Sequence, residues 1–192
     1  LRNGGISDGR EDLPRDNAEL PYALSKIHAE DALREAHDAG RVEGVVVRPG
    51  LFPFGPEDRT SFLPLVQKLG AYAHVAGGRA ILSTAYVENL AHGIALAGEV
   101  EGAAGRTYII ADGVRITWRE LMDRICDELG RERVRRAIPF AAAWAAACVV
   151  EDLSRLLGRA PLLTRYRVMV ASRDSYFDPA RARRELGYEP VV

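Results

Sequence analysis

Apolar and polar positions along the chain group into blocks that predict helices separated by short strands. Pro21 opens a helix at the first helical position, where proline is favoured, and Gly40 ends it at a C-cap position. The β-branched run 44–47 predicts a buried parallel strand, and a proline-containing loop follows it over 51–59. A loop at the carboxyl end of a strand is where open α/β sheets hold ligands.

The rest of the chain continues this alternation. The first twenty residues are polar and glycine-rich and predict a loop, and Thr117 and Glu120 form a capping box at the start of a helix. We expect strands over 80–83 and 107–111, and helices over 61–69, 87–97, 118–129, 140–157 and 180–186. Because the strands are few and widely separated by helices, the predicted class is α/β.

Composition narrows the function only a little. The 192 residues are 47% hydrophobic and 28% charged. The net charge of −1 excludes a positive electrostatic field over the whole protein that would attract nucleic acid. Cys126 and Cys148 form no Cys-x-x-Cys motif, so we expect free thiols and a reducing, cytoplasmic location. The four histidines show no metal-ligand spacing, and no metal site is predicted.

An arginine-rich stretch precedes the apolar run 140–150, and two interpretations of it stay open. A basic collar beside an apolar helix occurs in helices that lie on a membrane surface. The same pattern fits a helix that packs on the protein core after a solvated linker, and we favour this because Glu151, Asp152 and Arg155 follow at once.

Tyr22 and Lys26 carry the most specific chemistry. Four residues apart, they lie on one face of the predicted helix. A neighbouring ammonium favours the ionised form of a phenol, so that a tyrosine can exchange a proton nearer to neutral pH. Lys26 and Lys68 are the only lysines in the sequence, which makes a chance Tyr-x-x-x-Lys pair uncommon. The alternative is an exposed helix pair without function.

Further motifs follow this pair in a fixed order. They are Arg-Pro-Gly at 48–50, Phe-Gly-Pro at 54–56, Tyr-Val-Glu-Asn-Leu-Ala-His at 86–92, Ile-Pro-Phe at 138–140, Pro-Leu-Leu-Thr-Arg-Tyr-Arg-Val at 161–168 and Leu-Gly-Tyr-Glu-Pro at 186–190. From about Pro21 to the end, this order resembles the extended short-chain dehydrogenases/reductases. The later motifs are similar to the 3β-hydroxysteroid dehydrogenase branch of the epimerase/dehydratase family, and most of all to sterol-4-carboxylate 3-dehydrogenases. Sugar-nucleotide epimerases and dihydroflavonol reductases share parts of them.

The resemblance implies roles for residues of this chain. Tyr22 would exchange a proton with the substrate, and Lys26 would assist it and bind the nicotinamide ribose of NAD or NADP. The segment Pro49, Gly50 and Leu51 would line the nicotinamide end of the cleft, unless it is a plain strand-ending turn. Substrate contacts would come from Phe52, Phe54 and Arg59, although the two rings also suit a core and an arginine in a loop is more often solvated.

The resemblance also implies a carboxyl-terminal part of a Rossmann-like doubly wound sheet plus a smaller, mostly helical substrate lobe. We expect the core remainder over about 1–60 and 80–98, and the substrate lobe over 61–79 and 99–192. No glycine-rich turn between a strand and a helix is visible, so we expect a carboxyl-terminal half that is inactive alone. Ser7 is the one serine or threonine before Tyr22, but it falls in a predicted loop, so we expect the catalytic hydroxyl upstream.

Three functional hypotheses follow. The first is an NAD(P)-dependent dehydrogenase for a hydroxyl or keto group of an apolar, sterol-like substrate. The second is a nucleotide-sugar epimerase or dehydratase, which would need cationic groups for a diphosphate. The third is a non-catalytic dinucleotide-fold sensor, which would not need a proton donor. For partners we expect a small-molecule substrate and no nucleic acid; a homodimer is compatible with the sequence, and membrane contact is not favoured.

Overall fold

The computed structural model describes residues 5–15, 21–59, 66–67, 69–161 and 163–192. The strands are β1 (Ile6–Gly9), β2 (Val46–Pro49), β3 (Phe52–Phe54), β4 (His74–Val75), β5 (Ile81–Leu82), β6 (Thr84–Tyr86), β7 (Thr107–Ile110), β8 (Ile116–Thr117), β9 (Ala137–Ile138) and β10 (Ser175–Phe177). The helices are α1 (Pro21–Asp38), α2 (Val87–Glu99), α3 (Trp118–Glu128), α4 (Phe140–Leu156), α5 (Arg165–Ser172) and α6 (Ala180–Leu186). The helix predicted over 61–69 lies largely outside the described residues.

Parallel pairing dominates the strands. β2 pairs with β7 in parallel over four residues, from Val46 opposite Thr107 to Pro49 opposite Ile110. β3 pairs with β6, β4 with β9, and β10 lies between β1 and β5, all in parallel, whereas β8 is antiparallel to β5. Parallel neighbours require long crossover connections, which the helices supply here. The predicted α/β class is confirmed.

Local sequence signals fix the helix that carries the candidate chemistry. α1 begins at Pro21 as predicted, and after its last residue Gly40 adopts the left-handed conformation with φ +68°. At the following strand, an added Cβ on Gly44 would lie 2.6 Å from Cδ1 of Leu33. The missing side chain at Gly44 therefore lets Leu33 pack directly on the chain that leads into β2.

One buried apolar cluster surrounds β7. Tyr108 and Ile110 are 1% and 0% exposed, and they contact α2, α6 and the ring of Tyr188. Gly93 of α2 admits this close packing, because a Cβ there would lie 2.6 Å from Cγ2 of Ile110. The Tyr188 hydroxyl donates to the carbonyl of Ala111 at 3.1 Å, and burial raises the pKa of this tyrosine to about 12. The motif at 186–190 thus anchors the end of the chain on β7.

Two predictions for the amino-terminal half need correction. The first twenty residues were expected to form a loop, but β1 lies within them, and Ser7 is therefore on a strand. The loop expected over 51–59 contains β3. Both strands are short, and each is held by a partner far away in the sequence, β10 and β6 respectively, which local patterns do not reveal.

Candidate active site

Tyr22 and Lys26 face the same side of α1, as their spacing predicts. The Lys26 ammonium lies 5.5 Å from the centroid of the Tyr22 ring. The Tyr22 side chain is 72% exposed, and the Ser25 hydroxyl donates to its backbone carbonyl at 2.7 Å. The phenol is thus open to an approaching molecule and has a cation beside it. Lys26 also lines a groove of about 220 Å³ between α1 and β2.

A charged pair ties this helix to β2. Arg48 donates from Nε and Nη2 to the two carboxylate oxygens of Glu30, at 2.8 and 2.6 Å, and from Nη1 to the backbone carbonyl of Glu11. Burial alone would raise the pKa of Glu30, but the hydrogen bonds and charge of Arg48, with the charges of Arg15 and Arg34, hold it below its usual value. The arginine of the Arg-Pro-Gly motif therefore fixes the position of α1 relative to the strand.

The turn after β2 is packed closely against neighbouring strands. Gly50 is buried and donates its N–H to the carbonyl of Ile110 at 2.9 Å. A Cβ on Gly50 would lie 2.9 Å from the carbonyl oxygen of Thr84, so no side chain fits. Pro49 is exposed and Leu51 is half-buried. Close packing therefore requires glycine at position 50. Pro49 lies at the surface beside it, whereas Leu51 packs in part against a cluster that includes Leu82 and Trp118.

Phe52 and Phe54 belong to a continuous row of aromatic rings. Their centroids are 6.2 Å apart in a stacked arrangement. Phe52 meets Trp118 edge-on at 5.6 Å, and Phe54 meets Tyr86 at 5.5 Å. Trp118 is buried, whereas Phe52, Phe54 and Tyr86 are half-buried, so the row runs from the core towards the surface. The rings thus combine packing with a partly open apolar wall.

The structure adds one residue to those that the sequence indicated. Tyr166, in the first turn of α5, is 43% exposed; the burial of the rest of its side chain raises its pKa, and the negative charge of an ionised Tyr22 raises it further. Tyr166 thus lies within electrostatic range of Tyr22, although the two come from distant parts of the chain. Only the motif at 161–168 pointed to this segment. Arg59 is exposed and forms none of the ion pairs between described residues.

Asn89, within the motif at 86–92, forms hydrogen bonds with residues far away in the sequence. It is 1% exposed, its amide nitrogen donates to Asp112 and to the carbonyl of Val192, and its amide oxygen accepts from the N–H groups of Val191 and Val192. The motif at 86–92 thus holds the end of the chain. Among the described residues no cluster of three or more His, Cys, Asp or Glu side chains could bind a metal. No helix within those residues is both long and apolar enough to cross a membrane.

The parallel strands and the Tyr-x-x-x-Lys helix define a Rossmann-like α/β protein of the extended short-chain dehydrogenase/reductase class. Residues 2–140 match the 3-beta hydroxysteroid dehydrogenase/isomerase family, and the chain belongs to this family. The predicted resemblance is therefore confirmed.

Individual relatives agree with this assignment. A ketoreductase of Stigmatella aurantiaca, named for 4-hydroxy-2-methyl-3-oxo-4-farnesyl-3,4-dihydroquinoline-1-oxide, is 36% identical over 95% of this chain and 57% of its own length. The 3beta-hydroxysteroid-dehydrogenase/decarboxylase isoform 1 of Arabidopsis thaliana is 32% identical over 89% of this chain and 42% of its own. The crystal structure of gox2253 superposes with a TM-score of 0.75 at 27% identity, over 99% of this chain and 58% of that one. The chain thus spans about half the length of these relatives.

Proposed function

We propose that this chain carries the proton-transfer site of an NAD(P)-dependent oxidoreductase that acts on a hydroxyl or keto group of an apolar, sterol-like substrate. The observation that carries the proposal is the exposed Tyr22 phenol with the Lys26 ammonium 5.5 Å from its ring. General acid–base catalysis needs a titrating group that can reach the reacting oxygen and a neighbour that favours its ionised form. The pair supplies both on one rigid helix.

The described residues fit one end of a dinucleotide. Lys26 can donate to ribose hydroxyls, and Pro49, at the end of β2 next to the closely packed Gly50, is exposed. No strand among these residues leads through a glycine-rich turn into a helix, which is the usual site for the pyrophosphate. When bound, a nicotinamide supplies a hydride acceptor or donor. We therefore assign the described residues to the nicotinamide end of the site.

The proton steps belong to the protein. In the reductive direction the Tyr22 hydroxyl donates its proton to the carbonyl oxygen of the substrate, and in the oxidative direction the Tyr22 phenolate accepts the proton of the hydroxyl. In both directions the Lys26 ammonium stays beside the phenol, 5.5 Å from the centroid of its ring. Because the phenol projects from α1 into solvent, it needs no rearrangement of the helix to reach a bound substrate.

The preference for an apolar substrate rests on the aromatic row and on two relatives. Phe52, Phe54 and Tyr86 present half-buried ring surface, which suits a flat apolar molecule. The names of both relatives describe bulky apolar compounds, a farnesyl quinoline oxide and a steroid. A diphosphate would instead require arginine or lysine side chains directed at it.

The test uses the natural full-length protein. Tyr22→Phe keeps the ring and removes the titrating hydroxyl, so kcat should fall by about 10²–10⁴-fold with unchanged thermal unfolding. Tyr176→Phe is the matched control, because within the described part of the chain the Tyr176 hydroxyl makes one long contact, 3.5 Å to the Gly113 carbonyl, and its loss should leave kcat nearly unchanged. A Tyr22→Phe enzyme with most of its turnover would remove the phenol from the mechanism.

A substrate panel with NAD and NADP tests the substrate class separately. We expect turnover of 3β-hydroxysterols or of other bulky apolar alcohols and ketones. Turnover of UDP- or dTDP-sugars alone would favour the epimerase or dehydratase hypothesis while leaving the role of Tyr22 intact.

A further inference from the structure

The turn that follows β4 has an unusual backbone. Ala76, Gly77 and Gly78 all have positive φ angles, of +50°, +77° and +68°, and Arg79 then returns to the right-handed region with φ −83°. A positive φ is strained for alanine, and residues in such conformations concentrate at ligand-binding and switch sites. A junction of left-handed and right-handed residues also turns successive N–H groups towards one side, where they form a concavity suited to an anion.

Two guanidinium groups lie at the middle residue of this turn. Arg119 donates from Nε to the Gly77 carbonyl at 3.0 Å. A Cβ on Gly77 would lie 3.5 Å from Nε and 3.8 Å from Nη2 of Arg79, so the Arg79 guanidinium lies over the same glycine. Arg119 belongs to the first turn of α3, whereas Arg79 directly follows the left-handed residues. Two separate elements therefore bring a positive charge to Gly77.

Within the described part of the chain, neither of these guanidinium groups has a carboxylate partner. The ion pairs there include neither Arg79 nor Arg119, whereas Arg48, which is half-buried like Arg119, pairs with Glu30. Asp123 lies one helical turn after Arg119 and forms no ion pair with it either. Two positive charges at one turn repel each other, and a bound anion would relieve this repulsion.

A buried imidazole packs against the same turn. His74 is 0% exposed, its Nε2 lies 3.2 Å from the Val134 carbonyl oxygen, and its Nδ1 has no hydrogen-bond partner among the described residues. A Cβ on Gly78 would lie 2.6 Å from this Nδ1 and 3.2 Å from Cβ of Arg119. Burial and the charge of Arg119 hold the pKa of His74 below its ordinary value, against the opposing effects of the Val134 carbonyl and the Asp123 charge. An anion beside Arg119 would cancel part of this effect.

We propose that Arg79, Arg119 and the turn Ala76–Gly78 bind a phosphate-type oxyanion. Arg119 uses Nε within the described structure, so its two Nη groups remain for a ligand. A guanidinium can donate two parallel hydrogen bonds, and a carboxylate has oxygens for one such group, whereas a phosphate has enough oxygens and charge for two. Arg79 is exposed and Arg119 is half-buried, so the phosphate can enter from solvent. The site includes neither Tyr22 nor Lys26 and does not depend on the proposed oxidoreductase activity.

Calorimetric titration with inorganic phosphate tests this site in the natural full-length protein, saturated with its nicotinamide cofactor so that the dinucleotide site is occupied. We expect saturable binding, which Arg79→Gln and Arg119→Gln should each weaken by about 10-fold or more, because each removes charge-assisted hydrogen bonds. Arg124→Gln is the matched control: it removes an exposed charge from the same helix and should leave the affinity unchanged. Equal losses in the three variants, or no binding up to about 20 mM phosphate, would overturn the proposal.

The His74 imidazole gives a second readout of the same site. Because the charge of Arg119 lowers the pKa of His74, bound phosphate should raise it, and nuclear magnetic resonance of the imidazole ring across a pH series measures this change. An increase that persists in Arg119→Gln would place the anion elsewhere and refute the assignment. Tyr22→Phe should bind phosphate like the unaltered protein.

A parallel titration with ADP identifies the source of the phosphate group. An affinity for ADP well above that for inorganic phosphate, and weakened in the same way by Arg119→Gln, would show that the site binds the phosphate of a nucleotide. Similar affinities for both, with the same dependence on Arg119, would show a site for the free anion. ADP binding that is unaffected by Arg119→Gln, together with no phosphate binding, would exclude the turn as a phosphate site.

Discussion

Replacing Glu30 by glutamine should destabilise the protein, because it leaves the Arg48 guanidinium without a counter-charge. The carboxylate accepts two hydrogen bonds from Arg48, at 2.8 and 2.6 Å. The side chains of Arg48 and Glu30 are only 24% and 17% exposed, so water screens this pair less than one at the surface. A glutamine amide accepts one of the two hydrogen bonds and carries no charge.

The expected cost follows from the two lost contributions. Hydrogen bonds to charged groups contribute roughly 1.5–3 kcal/mol, whereas exposed ion pairs contribute about 0–1 kcal/mol. We expect Glu30→Gln to lower the free energy of unfolding by about 2 kcal/mol. Asp127→Asn is the matched control, because Arg133 binds Asp127 with similar geometry, at 2.9 and 2.7 Å, but the two side chains are 60% and 49% exposed. Its cost should be clearly smaller than that of Glu30→Gln, because water screens an exposed pair.

The same variant should change the acid dependence of stability. The pKa of Glu30 is held below its usual value in the folded protein, despite the opposing effect of burial. The stabilisation from this carboxylate is therefore complete above the ordinary glutamate pKa and is lost as the pH falls through the lowered folded value. Glu30→Gln removes that part of the pH dependence, so the two proteins should converge in stability at acid pH.

Urea unfolding at neutral and acid pH, followed by the fluorescence of the two tryptophans and by circular dichroism, measures these effects. Equal losses in Glu30→Gln and Asp127→Asn would refute the reasoning, since partial burial would then have no influence. A constant difference between Glu30→Gln and the unaltered protein at every pH would refute the proposed linkage to ionisation.

Two further predictions concern buried polar groups. Asn89→Ala should cost about 2–3 kcal/mol of unfolding free energy in urea, because Asp112 loses one of its two donors and the N–H groups of Val191 and Val192 lose their acceptor; an unchanged urea midpoint would contradict this. Burial lowers the pKa of the fully buried His74, so stability should fall as the pH drops from about 6.5 towards that lower value. In His74→Gln this slope, at most about 1.4 kcal/mol per pH unit, should disappear, and an unchanged slope between pH 7 and 5 would exclude His74 as its source.

Helices with local stop and start signals were predicted well. Thr117 accepts from the Glu120 N–H and the Glu120 carboxylate binds back to the Thr117 N–H, as the capping box indicated. Gly187 ends α6 in the left-handed conformation with φ +65°. These signals act within one helical turn, so the local sequence is enough to predict where the helix begins or ends.

The short strands could not be predicted in the same way. β1 depends on pairing with β10, which brings Ile6 opposite Ser175, and β3 depends on β6. Strands of three or four residues have little periodicity of their own, and their stability comes from partners. The division into a core remainder and a substrate lobe stays a prediction.

The candidate site shows the same limit. The sequence alone predicted that Tyr22 and Lys26 lie side by side, because both belong to one helix. The long-range contacts were not visible: the Arg48–Glu30 pair and the approach of Tyr166 to Tyr22 each join segments that only the tertiary structure places side by side. Such residues appear in the sequence only as charged or aromatic positions without a distinctive spacing.

Two different elements of the fold position the candidate site, a helix for Tyr22 and the sheet for Gly50. The Tyr22 phenol follows α1, whereas Gly50 and its turn follow the sheet, through the hydrogen bond to Ile110 and the close contact with Thr84. The Arg48–Glu30 pair is a direct link between these two bodies. Glu30→Gln should leave the Tyr22 phenol intact but shift it relative to the turn at Gly50. The fall in kcat should therefore be smaller than the fall in Tyr22→Phe. Glu30→Asp keeps the negative charge, so it should retain more activity than Glu30→Gln. Tyr22→Phe lacks the reacting hydroxyl and should stay the least active of the three variants.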